Sequence, residues 1–396
     1  MPSIYIRHGR EKSLLHHHPW VFSGSIDHIE GTPAPGETVK VHAMDGTFLA
    51  WGAYSPKSQI RVRAWSFDQS AKINSEFLYD RFRSASEFRS SLFNDPSTDS
   101  FRLIHAESDG LPGLIVDKYA NFLVIQLLST GVEFFKKEII SILGEILHPV
   151  GIFERSDLAV RDLEGLPQQI GVLSGETPPD LIQIKENGLK FWVDIKKGQK
   201  SGFYLDQRMN RQRFYSLIND GSCLNCFAYT GAFTAYALKA GVKTILSIDS
   251  SADSLDLAKK NIQLNNLPLD RCDWMIEDVF TALRNLRDSG CTFDTIILDP
   301  PKFAPTAAQV DKAARAYKDI NLLAFKLLNP LGTLFTFSCS GGIDPPLFQK
   351  IVSDAALDAH VDARVISHLA QGPDHPVSLN FPEGAYLKGL VCRLAK

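Results

Sequence analysis

Four segments of the C-terminal half place polar residues where apolar runs stop, and their order suggests chemistry. In CLNCFAYTGAF (223–233), Phe227 closes an apolar run and Tyr229-Thr230-Gly231 form a tight turn into a helix. Glycine there lets a ligand approach the backbone closely. TILSID ends in Asp249, 20 residues beyond Tyr229. A carboxylate at that place can accept both hydroxyls of a ribose. IEDVF puts Asp278 at the end of the next apolar run, where it would meet an adenine amino group. One acid at a strand end is ordinarily a helix cap or a surface residue. A turn followed by two acids on consecutive strands is instead the pattern of S-adenosylmethionine sites. DPPKF (299–303) supplies the fourth segment. Pro-Pro fixes the loop and sets Asp299 beside the place of the cofactor's methyl group. Lys302 stands where N-methyltransferases often carry an aromatic residue after Pro-Pro, which argues against amino-group methylation. There is no G-x-G-x-x-G and no GK[ST], so dinucleotide and ATP binding are disfavoured.

Forty residues past Asp299, the run LFTFSCS carries Cys339, with Ser338, Ser340, Gly341 and Gly342 around it. A lone cysteine in an apolar strand is ordinarily a small buried hydrophobe. At the carboxyl edge of a sheet, one strand beyond Asp299, a thiolate could add to a pyrimidine ring. Cys223 and Cys226 resemble C-x-x-C, but their odd offset along a strand points them to opposite faces. No second pair at zinc spacing exists, so a metal site is not expected. His16, His17 and His18 precede Pro19-Trp20 without acidic or cysteine partners, which suits a surface or RNA-facing role.

Positioning such residues requires strand ends collected at one edge. From about residue 190, strand-like runs (222–227, 244–249, 273–277, 293–298, 332–338) alternate with helical ones (231–239, 252–264, 279–288, 311–328, 345–357). That alternation predicts a doubly wound α/β domain with a parallel sheet, whose ligands lie at the strands' carboxyl ends. Two closing runs, 362–367 and 385–394, are separated by a loop too short for a crossover helix and predict an antiparallel hairpin. The first 70 residues read as short strands, with Asp45-Gly46 as a hairpin turn, and suggest a small β-barrel. Between them, a helical pattern at 72–93, strands at 101–105, 113–117 and 121–128, a helix at 133–147, and strands at 150–153 and 181–184 make an α+β module. The expected domains are 1–70, 71–188 and 189–396.

Composition narrows the classes. Of 396 residues, 44% are apolar and 22% charged, as in folded globular chains. No apolar run approaches the roughly 18 to 20 residues of a membrane helix, and the N-terminus lacks a signal peptide's apolar centre. Six cysteines are too few for a disulfide scaffold, so the expected compartment is the cytoplasm, without a membrane partner. Net charge is −3. The densest basic stretch, 190–213, holds Lys190, Lys196, Lys197, Lys200, Arg208, Arg211 and Arg213 against Asp194 and Asp206. It is a candidate phosphate-attracting surface or a solvated face.

The ordered set GREKSLLHHHPWVFSG, ESDGLPG, GFYLDQR, NCFAYTGAF, DPPKF, YKDIN, FSCSG and DHPV…PEGAYLKG resembles the bacterial large-subunit ribosomal RNA methyltransferase I family over essentially the whole chain. The resemblance implies an N-terminal PUA domain, a central EEHEE-type domain and a C-terminal Rossmann-like class I methyltransferase. It implies an S-adenosylmethionine-dependent enzyme making 5-methylcytosine in 23S rRNA, with a homodimer admitted. Cys339 and Asp299 become the expected catalytic residues. Phe227, Tyr229, Thr230, Gly231, Asp249, Asp278, Asp299 and Gln207 become the expected cofactor residues. Many RNA 5-methylcytosine enzymes carry a second cysteine directly after the motif-IV proline; here that place is Pro301, so product release proceeds without a second thiol. Uridine-C5 or guanine amino-group methylation of rRNA, and a non-catalytic RNA-binding assembly factor, are the alternatives.

Overall fold

The computed structural model describes residues 1–218, 220–303 and 309–395. The chain divides into two units. One comprises Met1–Lys185, Val193–Leu205 and Pro373–Gly384, the other Glu186–Trp192, Asp206–Gly372 and Ala385–Lys396.

The first unit opens with β1 (Ser3–Ile6), α1 (Lys12–Leu15), β2 (Trp20–Phe22), β3 (Ile26–Glu30), β4 (Thr38–Ala43), β5 (Phe48–Tyr54) and β6 (Ile60–Ser66). These strands form one sheet in the order β2-β6-β5-β4-β1-β3. Gly46, at φ 85°, turns β4 into β5 as the Asp45-Gly46 signal predicts. Ile4, Ile6, Val39, Val41, Val62 and Leu14 of α1 share one buried cluster. With a single sheet and one short helix supplying it, the sheet curls around its own core.

The unit continues through α2 (Ser75–Leu92), β7 (Phe101–His105), β8 (Leu114–Tyr119), β9 (Phe122–Leu127), α3 (Thr130–Phe134), α4 (Lys136–Leu147), β10 (Gly151–Ser156), α5 (Val160–Glu164) and β11 (Gln169–Gly175). The second sheet runs β11-β10-β9-β8-β7. The expected helix at 133–147 is two helices meeting at Phe135, and β11 has no counterpart in the sequence reading. Its exposed and half-buried pattern explains why: an edge strand buries too little to leave an apolar run. Ala53 and Trp65 of the first sheet belong to the same core cluster as Leu78, Val116 and Ile139. Ser55 donates to Glu164 at 2.8 Å, and Arg63 pairs with the same carboxylate at 2.7 Å. The two sheets are therefore joined by a common core and a buried polar network.

A hairpin of β12 (Ile182–Glu186) and β13 (Leu189–Val193) carries the chain onward. The strand expected at 181–184 thus belongs to this hairpin rather than to the second sheet.

The other unit holds α6 (Arg208–Leu217), β14 (Ser222–Cys226), α7 (Ala232–Lys239), β15 (Thr244–Asp249), α8 (Ala252–Leu264), β16 (Cys272–Ile276), α9 (Val279–Asp288), β17 (Phe293–Leu298), α10 (Val310–Leu327), β18 (Leu328–Ser338), α11 (Pro345–Asp358), β19 (Ala363–Ala370) and β20 (Lys388–Leu394). Its seven-stranded sheet runs β16-β15-β14-β17-β18-β20-β19. The pairs among β14 to β18 are parallel. β20 is antiparallel to both β18 and β19, the closing hairpin the sequence predicts. Val279, Leu283, Tyr317 and Phe348 pack from α9, α10 and α11 onto Leu224, Ile296 and Leu334. Elsewhere Phe214 of α6 meets Phe233 edge-on at 5.5 Å and Phe335 at 5.0 Å. Helix cover explains why β14 reads as an apolar run rather than an alternation. No helix among the described residues is long and apolar enough to cross a membrane.

Candidate active site

Strand order reverses between β14 and β17, since β15 and β16 lie on one side and β18 on the other. Open α/β sheets bind ligands at such a switch point, outside the strands' carboxyl ends. Cys226 pairs with Ile248 on one flank and with Leu298 on the other. The residues that follow these three, Phe227, Asp249 and Asp299, therefore emerge at one edge.

The turn after β14 is unusual backbone. Phe227 (φ 60°), Tyr229 (φ 47°) and Gly231 (φ 76°) all lie in the left-handed region, which costs non-glycine residues free energy and persists only where surroundings impose it. Here Ala228 N–H donates to Ile248 O at 2.9 Å, and Gly231 N–H to Ala228 O at 2.9 Å. Asp249 adds the decisive tether. Its Oδ2 accepts from Tyr229 N–H at 2.8 Å and its Oδ1 from Ser251 N–H at 2.9 Å. Asp249 thus holds the turn, and each of its oxygens keeps a second lone pair. A Cβ on Gly231 would sit 2.7 Å from Ala258 Cβ, so α8 packs against bare backbone. Thr230 is 4% exposed and its Oγ1 has no partner among the described residues. A buried hydroxyl without a partner is costly, and a polar ligand group over this turn would satisfy it.

Asp278 caps α9, with Oδ1 accepting from Thr281 N–H at 3.0 Å and Thr281 Oγ1 at 3.2 Å. It is exposed, and its Oδ2 has no protein donor among the described residues. Asp299 accepts from Gln207 Nε2 at 2.9 Å, and Gln207 Oε1 in turn accepts from Asn210 Nδ2 at 2.6 Å. Gln207, buried at 1% exposure, is therefore placed to orient Asp299.

Cys339 follows β18 directly, half-buried, with its Sγ 3.9 Å from Pro300 O in the DPPKF loop. The structure brings Cys339 and Asp299 to neighbouring strand ends, as the spacing predicts. Four other thiols are held neutral by their surroundings. Burial pushes the Cys223 and Cys226 thiols far above their ordinary range. The Cys392 thiol is pushed up to about 12. The Cys272 thiol, also pushed up to about 12, feels Asp273 and Asp270 as well as burial. Tyr317 hydrogen-bonds Ser340 Oγ at 3.0 Å, and Lys388 donates to Ser340 O at 2.7 Å. Sequence reading missed Asn210, Tyr317 and Lys388. Tyr317 and Lys388 did fall within quoted motifs, YKDIN and PEGAYLKG, while Asn210 left no signal.

The stretch 190–213 is not one basic face. Arg208 and Arg211 are each 1% exposed. Arg211 forms a two-pronged pair with Glu186 at 2.7 and 2.6 Å, so that charge is consumed inside the fold. In the first unit, His17 stacks on Phe67 at 4.5 Å, and His18 lies 3.2 Å from Glu383. His17, Trp65, Phe67, Arg81 and Asn380 line a cavity of about 450 Å³ there.

The residues fit S-adenosylmethionine: the Gly231 cradle, the Thr230 hydroxyl, and the acids ending β15 and β16 lie along one edge. Comparison with known proteins agrees. The family model for a PUA-like domain matches residues 4–67. That for an S-adenosylmethionine-dependent methyltransferase matches residues 166–392. Ribosomal RNA large subunit methyltransferase I of Aeromonas salmonicida is 50% identical, with 98% of each chain covered. Its namesake of Photobacterium profundum is 51% identical at the same coverage. Among solved structures, SMU.776, described as a methyltransferase complexed with SAH, matches with TM-score 0.87 and 20% identity over 99% of this chain and 100% of that one. A SAM-dependent methyltransferase from Streptococcus mutans gives TM-score 0.85 at 20% identity, with the same coverage. These two show the fold alone. The cofactor of the chain is S-adenosylmethionine. With relatives half identical along nearly its full length, the chain belongs to the ribosomal RNA large subunit methyltransferase I family.

Proposed function

We propose that the protein methylates carbon 5 of a cytosine in 23S rRNA through a covalent adduct with Cys339. The relatives' shared name supports an RNA of the large subunit as substrate. The observation that carries the chemistry is a half-buried thiol 3.9 Å from Pro300 O, beside Asp299.

Carbon 5 of cytosine is a weak nucleophile. Addition of the Cys339 thiolate to carbon 6 makes the ring an enamine and carbon 5 reactive. The cofactor, when bound, supplies the electrophilic methyl group that carbon 5 takes up. Loss of the carbon-5 proton to a base, with elimination of the thiol, then restores the aromatic ring. Asp299, held by Gln207, binds the ring at N3 and the amino group and shares a proton as negative charge builds. Tyr229, Thr230, Gly231, Asp249 and Asp278 hold the cofactor, with Phe227, Gln207 and Asp299 completing its site. The target base must leave its stack to reach this edge. Pro301 leaves the elimination without help from a second thiol. Residues 1–70 dock the RNA, 71–188 form the central domain and 189–396 perform the chemistry. The cavity with His17, Phe67 and Arg81 offers stacking faces and a cation for that docking.

Undermethylated rRNA containing 5-fluorocytosine tests the reading, because fluorine blocks the proton loss. Wild-type protein should be trapped covalently and Cys339→Ala should not, while Cys223→Ala and Cys226→Ala remain trapped. With unsubstituted RNA, nucleoside analysis should show 5-methylcytosine. Appearance of 5-methyluridine or an amino-methylated guanine would move the reaction to those bases. Robust 5-methylcytosine formation by Cys339→Ala would remove the covalent mechanism, and RNA binding without methylation would leave an assembly factor.

A further inference from the structure

Lys388 belongs to the PEGAYLKG motif, far in sequence from the residues assigned to chemistry, yet the sheet delivers it to them. It opens β20 and stands opposite Ser338 in the antiparallel ladder with β18. The first residue beyond the end of that facing strand is Cys339. The Lys388 side chain is buried, at 7% exposure for the residue. Its Nζ donates to Ser340 O at 2.7 Å and to Ile343 O at 2.5 Å. These two bonds bracket the turn through which the chain leaves Cys339. Both acceptors are neutral carbonyls, and among the described residues no carboxylate forms an ion pair with Lys388. A buried ammonium ion without a counter-charge is expensive, and a fold that only needed to tie a turn could use a neutral donor.

Several charged or titratable groups face this ammonium. Asp344 and Cys339 favour the charged form, Lys302 opposes it, and burial dominates, drawing the Lys388 pKa down to about 8. Tyr317 meets the same turn through Ser340 Oγ and also feels Cys339. Asp344 is committed elsewhere, capping α11 through Leu347 N–H at 2.8 Å. The remaining anion that can answer the buried positive charge is the thiolate of Cys339.

We propose that Lys388 is a positioning residue for the transfer reaction: its ammonium ion stabilises Cys339 as a thiolate, and its bonds to the Ser340 and Ile343 carbonyls aim the sulfur. This rests on the reading of Cys339 as nucleophile. A lysine in this role is needed for its charge, and a neutral donor of similar reach would keep the turn while losing the thiolate.

Iodoacetamide labelling of full-length protein, read at the Cys339 peptide by mass spectrometry from about pH 6 to about pH 10, tests it. In Lys388→Met the pH of half-maximal labelling rate should rise by on the order of one unit, a roughly tenfold smaller thiolate fraction near neutrality. Lys388→Arg should restore most of the wild-type profile. Lys388→Gln, which keeps N–H donors but not the charge, should behave like Lys388→Met, and carries the test if Lys388→Met does not fold. Methylation by each variant should fall in step with its thiolate fraction. A folded Lys388→Met or Lys388→Gln with the wild-type labelling midpoint overturns the proposal, even if methylation is lost. A shifted midpoint alongside full methylation by Cys339→Ala would instead uphold the Lys388–Cys339 coupling and remove Cys339 from the reaction.

Discussion

Replacing Gly231 by alanine probes the turn on which the proposed cofactor site is built. Two costs arise. At φ 76°, an L side chain meets its own backbone, which costs about 1–2 kcal/mol. The new methyl would also lie 2.7 Å from Ala258 Cβ and 3.2 Å from Ala258 Cα. Overpacking of that kind costs about 1–3 kcal/mol, and the methyl has no flexible side chain to push aside. Together they predict about 3 kcal/mol of lost stability and a weaker hold on S-adenosylmethionine. The contributions separate in a double-mutant cycle with Ala258→Gly. That change alone costs about 1 kcal/mol as a helix-interior glycine, but it removes the methyl that the introduced side chain would strike. Urea unfolding of the four proteins, followed by the fluorescence transition of this unit, should give a favourable coupling of about 1–2 kcal/mol. Strict additivity would show that the methyl-to-methyl clash is not what demands glycine. A stability change below about 1 kcal/mol for Gly231→Ala alone would refute the left-handed turn as well.

Asp249→Ala removes a tether as well as a proposed cofactor contact: calorimetry should show S-adenosylmethionine affinity weakened by about 1–3 kcal/mol, together with a lower melting temperature. Unchanged affinity would take Asp249 out of the site. Glu186→Ala removes the two-pronged carboxylate partner of the buried Arg211 guanidinium and should cost about 3–5 kcal/mol by chemical denaturation; a loss under about 1 kcal/mol, on the order of an exposed pair, would contradict that burial. Burial, with Arg102, His375 and Arg89 nearby, holds the His105 pKa well below its usual value. Its unfolded form takes up a proton first, so stability falls as pH drops below about 6.5. His105→Gln should flatten that acid limb in melting curves, and an identical limb would place the titration elsewhere.

Much of the catalytic unit was legible because each link depends on local pattern. Strands β14, β15 and β17 are covered by helices, so they print apolar runs with sharp ends, and Tyr229 to Gly231, Asp249 and Asp299 stand at those ends. The edge strand β11 and the break at Phe135 left no such trace, since exposed strands and short helix interruptions bury little. Pairing was equally silent about the first 70 residues. Their composition marks a separate β-module, whereas Ala53, Trp65 and the Ser55–Glu164–Arg63 network join it to the core that follows.

By itself, the order of residue types determined the fold class, the cofactor and the candidate nucleophile, because strand-end chemistry is written in consecutive letters. Tertiary structure alone decided what each side chain does there. Asp249 ties the turn, Asp278 caps a helix, and Arg208 and Arg211 leave the basic surface for the interior. Lys388 reaches the turn beyond Cys339 through the antiparallel register of β18 and β20. Hydrogen-bond partners and burial depend on which distant elements share a strand edge, and that is a property of the packed chain rather than of any segment within it.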